Sequence, residues 1–433
     1  MRQEMADTLL TTFYLLLWIL TFVWYHWKHR TIDAGSAIMG TYILYAFFSI
    51  LSVNNQILFI EYKPLTFFPF VYLYVMLMIA LTPAFSNHFN PPKNLVRPNT
   101  RIMELMSCIV IVVSIALIPD IITNFSSGFV KLLTDSDAGK DAYEDTINNM
   151  DNQGKAISNI AAIVFNASAS LSYFLFFYFI SAKNKNWYMI FGLMITMIVG
   201  LLLPIMKGLR AGVIISVLTF ILAYMLYKPF LSNKLKRSVQ ILGLVGMIAV
   251  TIPIVAITMS RFGKEKAGVE SIMYWYIGQG NLNFNNYGLD DGGIRYGDRT
   301  FNLFKRVVDP NTSKNYIERR DKFHELEVND EVFTTFVGDF TIDFGPFGAF
   351  VIFVVFNIIV LSLIRPRDGD MKVHQLLLLF FALCISIQGG MSLYGFADGN
   401  NIQIILMFII YSYLRYNEAL QERFPIMQKV DET

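Results

Sequence analysis

Apolar residues arrive along this chain in long blocks, each bounded by charges or by Pro, Asn and Gly. The blocks run to about 17 to 23 residues, and at 1.5 Å per helical residue each can cross a hydrocarbon core of about 30 Å. The pattern predicts helices at 8–25, 36–53, 64–83, 102–119, 159–181, 187–206, 211–229, 238–260, 346–364, 376–393 and 401–415. That makes about eleven transmembrane helices in one all-α polytopic membrane domain over 1–433, closed by a tail at 416–433.

Composition agrees with that pattern. Of 433 residues, 55% are hydrophobic and 16% charged, against about 25% charged in a soluble domain, and the mean hydropathy is +0.47. A soluble globular protein is excluded. The net charge of +2 gives no basic excess for nucleic acid. Cys108 and Cys384 both sit in apolar segments, so neither a disulfide framework nor a paired-cysteine metal site is expected. The first apolar block has no basic cluster before it and no small-residue cleavage site after it, so it is expected to stay as a span.

The distribution of charge says more than its total. Alternate connections and the tail carry 17 Lys and Arg, against 7 on the opposite side once the eleven of the long 261–331 loop are set aside. Because short basic loops stay in the cytoplasm, the N-terminus is expected outside and the C-terminus inside. Both long loops are then extracytoplasmic. The first, 120–158, is acidic, with seven Asp and Glu against three Lys; the second, 261–331, has six arginines, many aromatics and a Gly/Asn/Asp turn cluster. Such a mixture can fold as a small catalytic cap, whereas a linker would be Gly/Ser- or Pro-rich. No internal repeat is seen, which disfavours a transporter.

Three features could carry chemistry. Lys207-Gly208-Leu209-Arg210-Ala211 is a very short turn between two apolar helices and places Lys207 and Arg210 at the outer boundary, within reach of a lipid-linked phosphate; each is equally a snorkelling headgroup contact. The loop arginines Arg261, Arg295, Arg299, Arg319 and Arg320 can pair bidentately with diphosphate oxygens, or form ordinary salt bridges with the loop's twelve acids. Arg319 and Arg320 with His324 make the densest basic patch. In VFTTFVGDFTIDFGPFGAF, Asp339 and Asp343 interrupt an apolar run that Gly345, Pro346 and Gly348 break. Carboxylates at such depth are costly unless paired or facing water. An apolar stretch broken by Gly and Pro reads as a re-entrant or half-buried element lining a cavity. Two roles stay open for this pair: a general base for a sugar hydroxyl, or counter-ions that hold the arginines. Should neither be the base, His324 is the fallback. No His/Cys pair has metal-site geometry, and no Walker loop, nucleophile elbow or dinucleotide fingerprint is present.

Together these residues resemble the O-antigen polymerase family, the oligosaccharide repeat-unit polymerases, over nearly the whole chain. The short outer turn with Arg210 before a small residue and the Gly338–Gly348 segment carry the resemblance, above all Asp343-Phe344-Gly345 with Gly348. An arginine with glycine eleven residues on, found in loops of some members, is absent. The resemblance implies a GT-C-like membrane glycosyltransferase that needs no cofactor. It would join undecaprenyl-diphosphate-linked oligosaccharides into O-antigen, capsule or exopolysaccharide at the outer face of a bacterial inner membrane, with a flippase and a chain-length regulator as partners. A polysaccharide ligase shares the same donor. A lipid-linked oligosaccharide flippase is the alternative from another class.

Overall fold

The computed structural model describes residues 2–28, 30–55, 62–123, 156–207, 209–262, 269–289, 294–314, 318–319, 322, 333–365, 369–391 and 398–423. Thirteen α-helices are formed among them: α1 (Arg2–Trp27), α2 (Ala34–Asn54), α3 (Phe67–Phe89), α4 (Thr100–Ala116), α5 (Ala156–Ile180), α6 (Trp187–Met206), α7 (Arg210–Tyr227), α8 (Asn233–Phe262), α9 (Val269–Tyr287), α10 (Asn302–Val308), α11 (Thr335–Leu363), α12 (Val373–Gln388) and α13 (Asp398–Arg423). Nine helices among the described residues, α1 to α8 and α11, are long and apolar enough to cross a membrane; α12 is apolar but shorter. The chain is a polytopic membrane protein. Helices are forced on such a sequence because hydrocarbon offers backbone N–H and C=O groups no partner. The expected acidic loop 120–158 and tail 416–433 fall largely outside the described residues.

The outward faces are apolar, with Leu20, Ile109, Val112, Ile241, Val245, Ile358 and Phe408 among the exposed side chains. Inside, aromatics do much of the packing: Trp18 stacks on Tyr42 at 5.0 Å and Tyr14 on Phe70 at 5.0 Å, and Phe177 meets both Phe220 and Tyr227. Lipid is as apolar as leucine, so helix association depends on close fit and internal hydrogen bonds.

Alternate connections meet at one end of the bundle. There β1 (Asn94–Val96) and β2 (Asp370–Lys372) pair in parallel, in the register Asn94↔Asp370, Leu95↔Met371 and Val96↔Lys372. Asp33 caps α2 through Ser36 N–H and accepts the Tyr25 hydroxyl at 2.8 Å, with His88 Nδ1 at 2.7 Å. Arg97 reaches Ser181, Asn186 reaches Glu104, Lys228 reaches the Ile32 carbonyl, and His374 is paired with Glu418. The opposite end carries the residues with candidate chemistry.

Two elements depart from a plain bundle of spans. Residues 269–287, expected within a loop, form α9, which lies along the second half of α2. Gly278 makes this possible, since a Cβ there would come within 2.6 Å of the Phe48 backbone. The Ser49 hydroxyl donates to the Gly278 carbonyl at 2.8 Å and accepts from Asn281 at 3.1 Å. The front of the expected cap is therefore part of the bundle.

The second element is α11. In a straight helix Phe336 and Phe353 would stand about 25 Å apart, yet their rings stack at 5.5 Å and the Phe340 ring meets Phe353 at 5.4 Å. The helix is broken at Gly345, whose φ of 72° and ψ of 163° are open to glycine and strained for other residues. Pro346 follows and cannot supply the missing hydrogen bond. Residues 335–344 thus fold back as a re-entrant half-helix against a spanning segment that starts at 346, as the Gly/Pro break in an apolar run led us to expect.

Candidate functional site: an arginine turn seated on a re-entrant helix

The half-helix begins under tension. Thr335, a β-branched residue, has φ of +66°, a conformation costing on the order of 1–3 kcal/mol. Its neighbour Phe336 N–H donates to the Gly389 carbonyl at the end of α12 at 2.7 Å. From there the helix carries Asp339 and Asp343 one turn apart, on one face, both fully buried.

What that face meets is the turn 295–300. Arg299 donates from Nε and Nη2 to Asp339 Oδ1, at 2.8 and 2.6 Å, with both side chains buried. Asp343 takes the turn itself. Its Oδ1 accepts the N–H groups of Gly297 at 2.9 Å and Arg299 at 3.4 Å, and its Oδ2 accepts Thr300 N–H at 2.8 Å and Thr300 Oγ1 at 2.6 Å. The Asp343 carbonyl accepts the N–H groups of Arg295 and Tyr296 at 3.0 and 2.9 Å. One aspartate fixes a guanidinium plane and the other fixes the backbone that carries it. Asn401, at the start of α13, donates to the Thr300 carbonyl at 2.9 Å. Lys305 pairs with Asp298 at 2.7 Å.

Arg210 opens α7 and is buried, not splayed toward headgroups. Its guanidinium lies 4.1 Å from the centroid of the Tyr276 ring and donates to Thr258 Oγ1 at 3.2 Å. Tyr276 connects this arginine to the half-helix, since its ring meets that of Phe333 at 5.5 Å. Asn283 donates to the Phe333 carbonyl at 3.1 Å. At the far end of α9, Asn285 exchanges two hydrogen bonds with the Thr66 backbone and Asn286 two with the Lys63 backbone. These amides act as surrogate peptide groups and seal the α2–α3 connection against α9.

Lys207 caps α6 at the α6–α7 turn, where its side chain reaches solvent along one side and has dense protein around the rest. Desolvation by the surrounding protein lowers its pKa from the ordinary lysine value. Arg295 is buried in the turn that Asp343 holds. Arg319 is buried too, donating from Nη1 to the carbonyls of Ser313 and Lys314, within its own loop. Arg261 lies in the last turn of α8, but its side chain, like Arg320 and His324, falls outside the described residues.

Asp339 and Asp343 therefore share a face, as their spacing predicts, but that face meets an arginine turn. Sequence reading missed Thr300, Tyr276, Thr258 and Asn401. Of these, none stands in a pattern that separates it from loop or span. The asparagines at 283, 285 and 286 are a visible cluster, and the sequence pattern around them reads as turn. Among the described residues no three His, Cys, Asp or Glu side chains gather as a metal site.

Set against known proteins, the chain matches no family model, no curated protein and no solved structure.

Proposed function

We propose that this protein polymerises undecaprenyl-diphosphate-linked oligosaccharide repeat units, at the outer face of a bacterial inner membrane. The observation that carries the reading is the buried arginine turn seated on a re-entrant half-helix. A lipid diphosphate leaves readily once its charge is met, so the protein must chiefly present fixed cations and hold the acceptor hydroxyl in line with the anomeric carbon. Asp339 orients the Arg299 guanidinium, Asp343 anchors the segment carrying Arg295 and Arg299, and Arg210 adds a third buried cation behind Tyr276. Arginine suits the task because it cannot shed its charge.

In this reading transfer is a single inverting displacement needing no metal. Asp339 and Asp343 act as positioning residues, because their oxygens are already engaged by donors, and proton removal falls to His324, another loop acid or water. Arg261, Arg319 and Arg320 add positive charge to the same stretch of sequence. Eleven spans, with α12 and α13 as the last two, put the N-terminus outside and the C-terminus in the cytoplasm. The meeting of the basic connections at the β1–β2 end supports that orientation.

The test is reconstitution. The purified chain in liposomes, given undecaprenyl-diphosphate-linked repeat units, should release undecaprenyl diphosphate and build a ladder of lipid-linked polymers. Transfer only to a different acceptor would make it a ligase. Movement of the lipid across the bilayer without bond formation would make it a transporter, and either outcome ends the polymerase reading.

A further inference from the structure

Helix α8 stands off from its neighbours. Between it and α6 and α7 runs a groove of about 560 Å³, walled by Met197 and Leu201, Val217 and Phe220, and Gly246 and Val250. Polar groups are nearly absent from these walls, so ordered water has too few partners to fill it. The outward residues of α8, Ile241, Ile248 and Ile252, are exposed, as lipid-facing side chains are, while Leu244 and Val245 stand at the groove.

The glycines of α8 are the telling detail. Gly243 and Gly246 both line the groove. Glycine weakens a helix interior, and in membrane helices that loss is ordinarily repaid by close approach of a second backbone. Among the described residues no backbone approaches here. A Cβ at Gly246 would meet nothing within 4 Å, and one at Gly243 would meet only the Phe220 ring, at 3.4 Å. These glycines widen the groove, which makes sense if something else occupies it.

One end of the groove points to the cationic turn. From Leu201 to Lys207 along α6, and from Ser216 to Arg210 along α7, is a helical rise of about 9 Å. A ligand with an anionic head at the turn and a hydrocarbon chain below it would satisfy both. Four methionines, Met194, Met197, Met225 and Met247, line the walls, and their flexible thioethers fit an irregular, methyl-branched chain better than a rigid wall would. We propose that the groove seats the isoprenoid chain of the polyprenyl-diphosphate substrate, with Lys207 and Arg210 above it on the diphosphate side. This rests on the polymerase reading for the identity of the lipid, and on the groove for its place.

The experiment reads binding apart from catalysis. Full-length protein in nanodiscs is titrated with undecaprenyl diphosphate and, separately, with inorganic diphosphate. Gly246→Trp fills the groove and should weaken undecaprenyl diphosphate at least tenfold while leaving inorganic diphosphate unchanged. Gly40→Trp, at a glycine of α2 that also has open space around it, should leave both unchanged. A second measurement needs no variant: undecaprenyl diphosphate with a diazirine on its chain should label peptides from 194–201, 216–225 and 239–250. Labelling elsewhere, equal affinity of wild type and Gly246→Trp, or full competition by a diacyl phosphatidic acid would each overturn the proposal. Binding as described with no polymer formed would instead overturn the polymerase reading and leave the groove assignment standing.

Discussion

Asparagine at position 343 separates a carboxylate that latches a turn from one that accepts a proton. Asp343 now serves four donors, two on each oxygen. The amide keeps one accepting oxygen, which can stay on the Gly297 and Arg299 N–H groups, and Thr300 Oγ1 can rotate to accept from the new NH2. Thr300 N–H cannot adapt and is left facing a donor. A buried unsatisfied N–H costs about 1–3 kcal/mol, and loss of charge assistance in the two retained bonds adds roughly 1–2 kcal/mol. The total, about 2–5 kcal/mol, is a large share of a typical stability of 5–15 kcal/mol. The N–H groups of Arg295 and Tyr296 bond the Asp343 carbonyl, which the substitution leaves alone. Opening should therefore be local, confined to 297–300. Hydrogen exchange of peptides covering 294–302 should accelerate about 30-fold or more, with polymer synthesis falling in step. Unchanged exchange with turnover down by roughly 10² or more would refute the latch and make Asp343 the base.

Arg299→Ala removes the buried ion pair with Asp339 and should cost about 3–5 kcal/mol; Arg299→Ala with Asp339→Ala together should melt higher than Arg299→Ala alone in a thermal unfolding scan. Arg210→Ala should abolish polymer in the reconstituted assay with the protein still inserted, Arg210→Lys should keep part of it, and Tyr276→Leu should weaken diphosphate binding by the loss of a cation–π contact worth about 0.5–2 kcal/mol. Desolvation lowers the Lys207 pKa, so the folded chain releases this proton before the unfolded one does. Its desolvation penalty on folding fades as pH rises through the lowered value, while diphosphate binding that uses its charge should weaken on the alkaline side earlier than for an ordinary lysine; Lys207→Arg should flatten that decline in a pH titration of binding. Cysteine at the exposed Val308 should react with an impermeant reagent in intact cells, and cysteine at Lys234 only after permeabilisation; the reverse pattern would invert the topology.

The positions of the nine long apolar helices were legible because each is a local fact of composition: a block of apolar residues has few ways to exist in a bilayer. The break before residue 346 was legible for the same reason, as Gly345 and Pro346 state it directly. Helix α9 was not. Its Gln279, Gly280, Asn281, Asn283 and Asn285 read as loop, and its helicity is secured by contacts far along the chain, with Ser49, Thr66 and Phe333. The arginine–aspartate pairing was half legible. That buried carboxylates need cations follows from their depth, but choosing Arg299 among six loop arginines requires knowing that 40 residues of chain fold back on themselves.

The small β1–β2 pairing carries a consequence for how the molecule is made. Asn94 and Asp370 are joined across 276 residues of sequence, so the strand at 94–96 leaves the ribosome long before its partner exists. During synthesis, which proceeds from the N-terminus at about 5–20 residues per second, that strand waits for at least about ten seconds with an open edge beside the membrane. Its brevity makes the wait safe, since three residues are a poor template for pairing with another chain. The pairing acts as a terminal buckle: it can close only after every helix between it has been laid into the bilayer.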